Sequence, residues 1–421
     1  MSITSEKNTS LALWLDHLIA IHPQEIDMGL ERVSIVADRL GLRSLGETKV
    51  VTVAGTNGKG TTCAIVEHIL LLAGYTVGVY SSPHILKYNE RVRINGKDAQ
   101  DEQLIQAFEM INAARENISL SFFEFATLAA LFIFKSVKLD VILLEVGLGG
   151  RLDATNMIDS DIAVVTSIDL DHQEYLGTTR DSVATEKAGV FRTLKPGIVG
   201  EPDIPNSLLE VAKHKGTDLY CVNQHFNYQL SVDNNQQWDF NGISRSMTQL
   251  PLPQLPLPNA ATALAVIELG WPNISTELIK RAISDARLAG RLEVVSQQPL
   301  IMLDVAHNPH AARYLATRLN AIKPTRLFAV CGMLKDKDCT QVIHILDEKI
   351  DHWVFIGLDT DRSATPEDLQ AALCDSSSSS QYTNLALAWS ELSLILTPDD
   401  AVIVFGSFYT VAEFKALTLN F

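Results

Sequence analysis

Lys59 and the small residues around it have the clearest capacity for chemistry in this chain. They lie in residues 50–62, VVTVAGTNGKGTT, where a short apolar run is followed by a glycine-rich turn with one lysine and threonine hydroxyls. Backbone N–H groups in such a turn, and at the N-terminus of the helix that follows, bind phosphate, and Lys59 adds a positive charge. The spacing departs from the usual G-x-x-x-x-G-K-[ST] pattern, because Val53 occupies the first glycine position and Gly60 separates Lys59 from Thr61. The segment predicts a loop that holds a nucleoside triphosphate; a loop that only turns the chain is the alternative.

Polar residues also follow the other apolar runs of the first half. The segments between these runs are long enough for helical crossovers, which predicts β-α-β units and a parallel sheet. Ligands bind beyond the carboxyl ends of the strands in such sheets, so the polar residues at those ends are candidates for a site. The runs cover residues 49–54, 77–80, 141–146 and 162–168, and the polar residues that end the last three are Ser81 and Ser82, then Glu145, then Asp169, Asp171 and His172.

Glu145 interrupts DVILLEVGLGG, an apolar run that should be buried on both sides of a sheet. An unpaired carboxylate is costly in such a place, so Glu145 needs a cation or strong hydrogen-bond donors. Ser82 and His172, at neighbouring strand ends, offer an oxygen and an imidazole ligand, and a nucleotide-bound Mg2+ takes one or two protein carboxylates. The residues suggest a magnesium site. The local alternatives are an ion pair of Glu145 with Arg151, a capping or loop role for His172, and a turn hydroxyl for Ser82.

A second polar cluster follows an apolar run in LDVAHNPHAA, in the second half of the chain. Asp304 could hydrogen-bond a ribose, His307 and Asn308 could contact phosphate or base, and Pro309 suits the first position of a helix. Arg291 lies between the two expected domains. There it could reach a phosphate or form a surface salt bridge.

The alternation of apolar runs and helical segments predicts an α/β protein of two domains. We expect an N-terminal P-loop domain with a mostly parallel sheet in residues 1–289, a linker in residues 290–299, and a smaller, Rossmann-like C-terminal α/β domain in residues 300–421. Residues 220–238 mix polar and aromatic residues with Asn-rich turns, which predicts short antiparallel strands added to the main sheet. The predicted helices are residues 61–72, 102–114, 123–135 and 259–270, and the predicted strands of the second domain are residues 300–305, 327–332, 353–357 and 401–405.

The composition of the 421-residue chain argues against several classes of protein. With 47% hydrophobic and 20% charged residues, the chain resembles neither a disordered nor a membrane protein. No apolar run reaches the roughly 18 residues that span a bilayer, and the polar N-terminus lacks the pattern of a signal peptide. A net charge of −16 opposes nucleic-acid binding. Five cysteines without a C-x-x-C pair suggest neither a zinc site nor a disulfide framework. We therefore expect a cytoplasmic protein.

Six ordered motifs strongly resemble those of the folylpolyglutamate synthase and dihydrofolate synthase family, part of the wider group of ATP-dependent Mur-type amide ligases. The motifs are AGTNGKGTT, SSPH with NERV, EVGLGGRLDATN, DHQEYLG, EKAGVF and DVAHNP. The resemblance extends from IDMGLERV, which begins at Ile26, to the final strand. The LDATN and SFFEF loops together resemble those of the bacterial bifunctional type.

The resemblance implies roles for individual residues. Mg2+ would be bound by Ser82, Glu145, His172 and Lys187, with Lys187 as a carbamate. Spacing alone suggests only a solvated lysine at Lys187, but carbamylation needs a neutral amine, so we expect burial near positive charge to lower its pKa. The expected catalytic residues are Lys59, Glu145, His172 and Lys187. The expected ATP contacts are Thr56, Asn57, Gly58, Lys59, Gly60, Thr61, Asn259, Arg291, Asp304 and His307. The expected pterin contacts are Met28, Gly29, Leu30, Glu31, Ser121, Phe122, Phe123, Glu124, Leu152, Asp153 and Ala154, with Phe123 stacking on the heterocycle.

The implied reaction forms an amide bond and is driven by cleavage of ATP. The acceptor carboxylate attacks the γ-phosphate to give an acyl phosphate, and the amine of L-glutamate then displaces phosphate. The expected substrates are 7,8-dihydropteroate and the glutamate tail of a reduced folate, with ATP and Mg2+; a monomer without nucleic-acid or membrane partners is expected. The sequence leaves open a second metal site, a monovalent cation, the number of glutamates added, the preferred folate and the glutamate pocket.

Three other functions are alternatives. A monofunctional folylpolyglutamate synthase would be inactive on dihydropteroate. A Mur-type cell-wall peptide ligase carries a nucleotide-sugar domain before the phosphate-binding loop, and we expect the 54 residues before Gly55 to leave no room for one. A non-catalytic ATP-dependent switch or folate-binding protein would have no need of Glu145, His172 and Lys187 beside the loop.

Overall fold

The computed structural model describes residues 10–22, 27–231, 236–374 and 377–418. Ile26, where the first resembling motif begins, lies outside them. The chain forms two compact units, which we call the N-terminal unit (Met1–His84 and Tyr88–Ala286) and the C-terminal unit (Ile85–Lys87 and Arg287–Phe421). Of the helices in the described ranges, none combines the length and the apolar character needed to span a bilayer.

An eight-stranded sheet forms the centre of the N-terminal unit. Its strands are β1 (Lys49–Ala54), β2 (Val77–Tyr80), β3 (Val92–Ile94), β4 (Lys97–Asp98), β5 (Val141–Glu145), β6 (Ile162–Val165), β7 (Pro196–Val199) and β8 (Asp218–Cys221). They lie in the order β4-β3-β2-β5-β1-β6-β7-β8. Neighbouring strands in the series β2-β5-β1-β6-β7-β8 are parallel, whereas β3 pairs in antiparallel fashion with both β2 and β4. The predicted α/β fold with a mostly parallel sheet is confirmed.

Helices cover both faces of this sheet, as the burial of its central strands requires. They are α1 (Leu11–Ala20), α2 (Glu31–Arg39), α3 (Lys59–Leu72), α4 (Asp101–Arg115), α5 (Phe122–Val137), α6 (Gln173–Leu176), α7 (Arg180–Ala188), α8 (Asn206–Lys215), α9 (Leu257–Gly270) and α10 (Thr276–Asp285), with short 3-10 turns at Tyr88–Arg91 and Ala154–Met157. Helix α5 is buried over most of its length, which agrees with its apolar sequence.

A separate antiparallel sheet of three strands occupies the region that was expected to extend the main sheet. Its strands are β9 (Asn227–Leu230), β10 (Gln237–Asn241) and β11 (Ser246–Pro251). The expectation for residues 220–238 was therefore wrong: β8 joins the main sheet in parallel, whereas β9 and β10 pair with each other and with β11. Buried Trp238 and Phe240, which alternate along β10, give this sheet its own apolar face.

The C-terminal unit is a smaller α/β sheet of six strands. The strands are β12 (Glu293–Gln297), β13 (Leu300–Asp304), β14 (Leu327–Cys331), β15 (His352–Ile356), β16 (Ser379–Tyr382) and β17 (Ala401–Phe405), in the order β12-β13-β17-β14-β15-β16. The helices are α11 (Pro309–Leu319), α12 (Cys339–Leu346), α13 (Pro366–Gln370), α14 (Leu385–Ile395) and α15 (Phe408–Thr418), with a 3-10 turn at Asp347–Lys349. All pairs are parallel except β12 with β13. Strand β12 lies within residues 290–299, the segment expected to be a linker.

Candidate active site

The polar strand ends of the N-terminal unit meet at one edge of its sheet. Strands β2, β5, β1 and β6 are consecutive neighbours, and all run in the same direction. Val53 of β1 pairs with Glu145 on one side and with Val164 on the other, while Tyr80 pairs with Leu144. The segments that carry Lys59, Ser82, Glu145 and His172 therefore leave the sheet side by side.

Residues 55–61, GTNGKGT, which we call the phosphate loop, connect β1 to α3. Gly58 precedes the helix with a φ of 87°, a conformation that glycine adopts without strain. Within the described part of the chain, the N–H groups of Gly58, Lys59, Gly60 and Thr61 have no hydrogen-bond acceptor. The ammonium of Lys59 lies 3.0 Å from the carbonyl oxygen of Gly55 and 3.3 Å from that of Thr56. The loop thus presents open N–H groups and a positive charge, as an anion site requires.

Asn259, in the first turn of α9, lies against the phosphate loop. Its Nδ2 donates to the hydroxyl of Thr61 over 2.7 Å, and that hydroxyl donates to the carbonyl of Gly58 over 2.9 Å. A Cβ atom at Gly58 would lie 2.4 Å from Oδ1 of Asn259. Asn259 is thus placed beside the loop whose nucleotide it was expected to contact.

Lys187 is buried near the end of α7, with 3% of its surface exposed. Burial and the positive charge of Lys59 lower the pKa of Lys187 to about 7, although Asp171 and Asp153 oppose this effect. Its interpretation as a solvated lysine is wrong, and the expected depression of its pKa is confirmed. At neutral pH a large share of such amines is uncharged, the form that reacts with CO2.

Glu145, the last residue of β5, is 6% exposed. Its alternative role as the partner of Arg151 is wrong, because the guanidinium of Arg151 binds Oε1 of Glu186 instead, through Nη2 at 2.8 Å and Nε at 3.0 Å. Glu145 therefore lies at the end of β5 without an ion pair to Arg151.

The other expected metal ligands lie on segments that follow β2 and β6. Ser82 is half-buried just beyond β2. His172 precedes α6 with a φ of 48° and a side chain that is 39% exposed, and its Nε2 lies 3.9 Å from Oδ2 of Asp171. A cluster of three His, Cys, Asp or Glu side chains suited to a metal is absent from the described residues. The expected set contains only two residues of these types, Glu145 and His172, beside Ser82 and Lys187.

The three segments expected to bind the pterin all contact residues 147–149. A Cβ atom at Gly147 would lie 2.5 Å from the ring of Phe123, and one at Gly149 would lie 3.4 Å from Cε of Met28. Oδ2 of Asp153 accepts from the N–H groups of Gly147 and Leu148, each over 2.9 Å. The remaining expected contacts lie beside these in the chain: Gly29, Leu30 and Glu31, then Phe122, and then Leu152 and Ala154.

Some expected pterin contacts already have structural partners. Ser121 caps α5, because its hydroxyl accepts from the N–H of Glu124 over 3.2 Å and its own N–H donates to Oε2 of Glu124 over 2.7 Å. Arg32 donates to Oε1 of Glu124 over 3.2 Å. These contacts hold the start of α2 against the start of α5, and sequence reasoning did not identify Arg32.

Arg91, in the NERV motif, is a further polar residue to which the sequence assigned no role. Its Nε donates to Nδ1 of His84 over 2.9 Å, and its guanidinium lies 5.6 Å from the ring centre of Tyr88 and 5.4 Å from that of Phe122. Burial and the charge of Arg91 lower the pKa of His84 to about 4, which keeps the imidazole neutral as an acceptor. The sequence signal for Arg91 was its place in NERV, one of the motifs that resemble those of the family.

The predicted nucleotide contacts of the C-terminal unit lie around the end of β13. The carboxylate of Asp304 accepts from the N–H groups of Leu292 and Ala306, at 2.9 and 2.8 Å. Burial raises the pKa of Asp304, and the positive charge of Arg291 opposes this rise. The guanidinium of Arg291 lies 5.3 Å from the ring centre of Phe408. Nδ1 of His307 lies 2.8 Å from the carbonyl oxygen of Val305. The expected helix start is confirmed, with Asn308 as the cap and Pro309 as the first residue of α11.

Comparison with known proteins identifies the family. The family model of the Mur ligase middle domain matches residues 53–267, and that of the Mur ligase glutamate ligase domain matches residues 290–408. Over 411 residues the chain is 47% identical to the dihydrofolate synthase/folylpolyglutamate synthase of Escherichia coli (strain K12), and the match covers 97% of this chain and 96% of that protein. The chain belongs to the dihydrofolate synthase/folylpolyglutamate synthase family of Mur ligases.

Solved structures of this family share the fold over the full length. Escherichia coli FolC in complex with DHPP and ADP has a TM-score of 0.95 and 45% identity, with 99% of each chain covered. A bifunctional folylpolyglutamate synthase/dihydrofolate synthase with Mn, AMPPNP and L-glutamate bound has a TM-score of 0.92 and 47% identity, with 99% of this chain and 100% of that chain covered. The family resemblance read from the six motifs is confirmed.

Proposed function

We propose that the chain is an ATP- and Mg2+-dependent ligase that adds L-glutamate to 7,8-dihydropteroate and to the glutamate tail of a folate. The observation that carries the proposal is a phosphate loop with open N–H groups near a buried Lys187, whose pKa is about 7. Full-length similarity to bifunctional enzymes of the family supports both activities.

The chemistry needs phosphate binding and no protein nucleophile. The carboxylate of the pteroate or folate attacks the γ-phosphorus of ATP and ADP leaves, which gives an acyl phosphate. The amine of glutamate then attacks the acyl carbon, loses a proton and expels phosphate as the amide forms. The N–H groups of residues 58–61 and the ammonium of Lys59 stabilise negative charge on the transferring group.

Ser82, Glu145, His172 and a carbamate on Lys187 would hold Mg2+. The donor set suits the ion, because it supplies hydroxyl, carboxylate and carbamate oxygens with one imidazole, and a bound cation would offset the cost of burying Glu145. The ion would neutralise charge on the phosphates. Formation of the carbamate consumes the neutral amine of Lys187 and CO2 and releases one proton, which the low pKa favours.

The pterin would lie against residues 147–149, where Phe123, Met28 and Asp153 make contact. Phe123 is half-buried, with its ring centre 5.7 Å from that of Tyr80, so one aromatic surface is held in place for stacking on the heterocycle. A cytoplasmic, monomeric enzyme without nucleic-acid or membrane partners stays the expectation.

The bifunctional assignment is tested by phosphate release. Purified protein with ATP, Mg2+ and L-glutamate should release phosphate when given 7,8-dihydropteroate and, separately, a reduced folate. Activity with the reduced folate alone would leave a monofunctional folylpolyglutamate synthase as the correct function.

Glu145→Gln tests whether the protein is a ligase or a non-catalytic switch. Loss of the buried negative charge removes a metal ligand worth several kcal/mol, so we expect turnover to fall by about 100-fold or more while the fold and pterin binding persist. Glu109→Gln, an exposed change on α4, is the matched control. Normal turnover by Glu145→Gln would contradict the metal role.

A further inference from the structure

Two hydroxyl side chains that directly follow β6 contact the phosphate loop. Thr166 is 4% exposed and Ser167 is 8% exposed. The hydroxyl of Thr166 donates to the carbonyl oxygen of Asn57 over 2.6 Å. The hydroxyl of Ser167 donates to the same carbonyl over 3.1 Å and accepts from the N–H of Asn57 over 3.0 Å. Both backbone polar groups of Asn57 are therefore held by side chains from the segment that follows β6.

Main-chain bonds complete this connection. The N–H of Thr56 donates to the carbonyl of Ser167 over 2.9 Å, and the N–H of Thr166 donates to the carbonyl of Ala54 over 2.9 Å. A Cβ atom at Gly55 would lie 1.9 Å from Oγ1 of Thr166, so only glycine permits this approach. The first glycine of the loop thus makes room for a threonine hydroxyl from the segment that follows β6.

These bonds divide the phosphate loop into two parts. The N–H groups of Thr56 and Asn57 are used to anchor the loop to Ser167, whereas those of residues 58–61 have no acceptor within the described ranges. The orientation of the Asn57 peptide sets the direction in which the chain enters Gly58, whose φ is 87°. The open N–H groups follow immediately after that turn.

We infer that Thr166 and Ser167 are positioning residues for nucleotide binding, which they serve by fixing the peptide of Asn57; this rests on the proposed function. Their role is indirect, since their hydroxyls are directed to the loop backbone. Loss of the Thr166 hydroxyl leaves the carbonyl of Asn57 with the longer bond from Ser167, and loss of the Ser167 hydroxyl removes its bonds to both the N–H and the carbonyl of Asn57. The loop then gains freedom that nucleotide binding must remove.

The chain offers matched controls for this inference. Thr52 in β1 and Ser160 just before β6 are also buried, but their hydroxyls have no hydrogen-bond partner among the described residues. Thr52→Val and Ser160→Ala therefore remove the same atoms as Thr166→Val and Ser167→Ala without removing a contact to the loop. Thr166→Ser keeps the hydroxyl and serves as the conservative variant.

The test is calorimetric titration of each variant with ADP and Mg2+, beside titration with 7,8-dihydropteroate and thermal unfolding. We expect Ser167→Ala and Thr166→Val to bind ADP about tenfold more weakly, with pterin affinity within about twofold of wild type. The KM for ATP should rise by a similar factor with little change in kcat. Thr52→Val, Ser160→Ala and Thr166→Ser should bind ADP like wild type.

Three results would contradict this role. One is ADP affinity within about twofold of wild type in both Ser167→Ala and Thr166→Val. Another is a parallel loss of ADP affinity, pterin affinity and thermal stability, which indicates a merely structural role. A third is failure of Thr166→Ser to retain ADP binding. If Thr166→Val does not fold, the ADP affinities of Ser167→Ala and Thr166→Ser still decide the question. A folded wild-type protein that bound no ADP would instead contradict the proposed function.

Discussion

Replacement of Lys187 by methionine should stabilise the protein while it abolishes ligase activity. The lysine is buried, and burial together with the charge of Lys59 lowers its pKa from 10.5 to about 7. In the unfolded chain the amine is protonated at neutral pH, so folding must either remove its proton or bury its charge. Methionine fills a similar volume and has no charge to desolvate.

The expected magnitude follows from proton linkage. The folded pKa lies below the unfolded pKa, so the unfolded chain binds more protons between pH 7 and pH 10.5, and stability rises with pH across that window. The penalty is complete below pH 7 and disappears above pH 10.5. The difference of the two pKa values corresponds to about 5 kcal/mol at low pH and about 4 kcal/mol at pH 7. Allowing for imperfect packing, we expect Lys187→Met to gain about 2 to 4 kcal/mol at pH 7.

Urea unfolding in buffer depleted of CO2, at pH 7 and at pH 10, measures this difference in the free energy of unfolding. The advantage of Lys187→Met should shrink at the higher pH, and its ligase turnover should be undetectable at both. Lys213→Met, an exposed change in the last turn of α8, is the control and should show no pH-dependent difference. A variant less stable than wild type at pH 7, or a difference that does not change with pH, would contradict a burial penalty at Lys187.

Two further changes test the loops of the site. Gly58→Ala should raise the KM for ATP by about tenfold or more, because a side chain strains the left-handed backbone at this position. The added Cβ atom would also lie 2.4 Å from Oδ1 of Asn259, so the contact of Asn259 with Thr61 must break. An unchanged KM in initial-rate kinetics would contradict this expectation. Asp153→Asn should raise the KM for dihydropteroate and lower the thermal midpoint. Each carboxylate oxygen accepts from two donors, and the amide nitrogen that replaces one oxygen cannot accept, so buried donors lose their acceptor at a cost of about 1 to 3 kcal/mol. Wild-type values for both quantities would show that the carboxylate does not hold this loop.

The sequence predicted those parts of the site that are local in the chain. Strands β1, β2 and β17 have their predicted bounds, because each is an apolar run that ends at a polar or glycine residue. Glu145 was identifiable because it interrupts such a run. The family resemblance added Lys187 and Asn259 to the expected site, although local spacing alone did not single them out.

Residues whose role depends on partners distant in sequence were not predictable in the same way. Thr166 and Ser167 fall within the predicted run of residues 162–168, whereas β6 ends at Val165. Only the pairing of β6 with β1 brings their hydroxyls to Asn57. The separate sheet of β9, β10 and β11 was missed for the same reason. Alternation predicts strands, but the choice of pairing partner is set by the packing of buried Trp238 and Phe240.

Two glycines allow close packing at the end of α7, the helix that carries Lys187. The sequence of α7, RDSVATEKA, is polar and gives no indication of burial. A Cβ atom at Gly150 would lie 2.7 Å from the carbonyl oxygen of Glu186, and one at Gly189 would lie 2.4 Å from Cα of Arg151. Because neither glycine has a side chain, the backbone around Arg151 lies directly on the backbone at the end of α7, where Lys187 is located. The glycine-rich segment after Glu145 thus permits close packing against the helix that carries Lys187, a dependence on two distant parts of the chain that the sequence of α7 does not show.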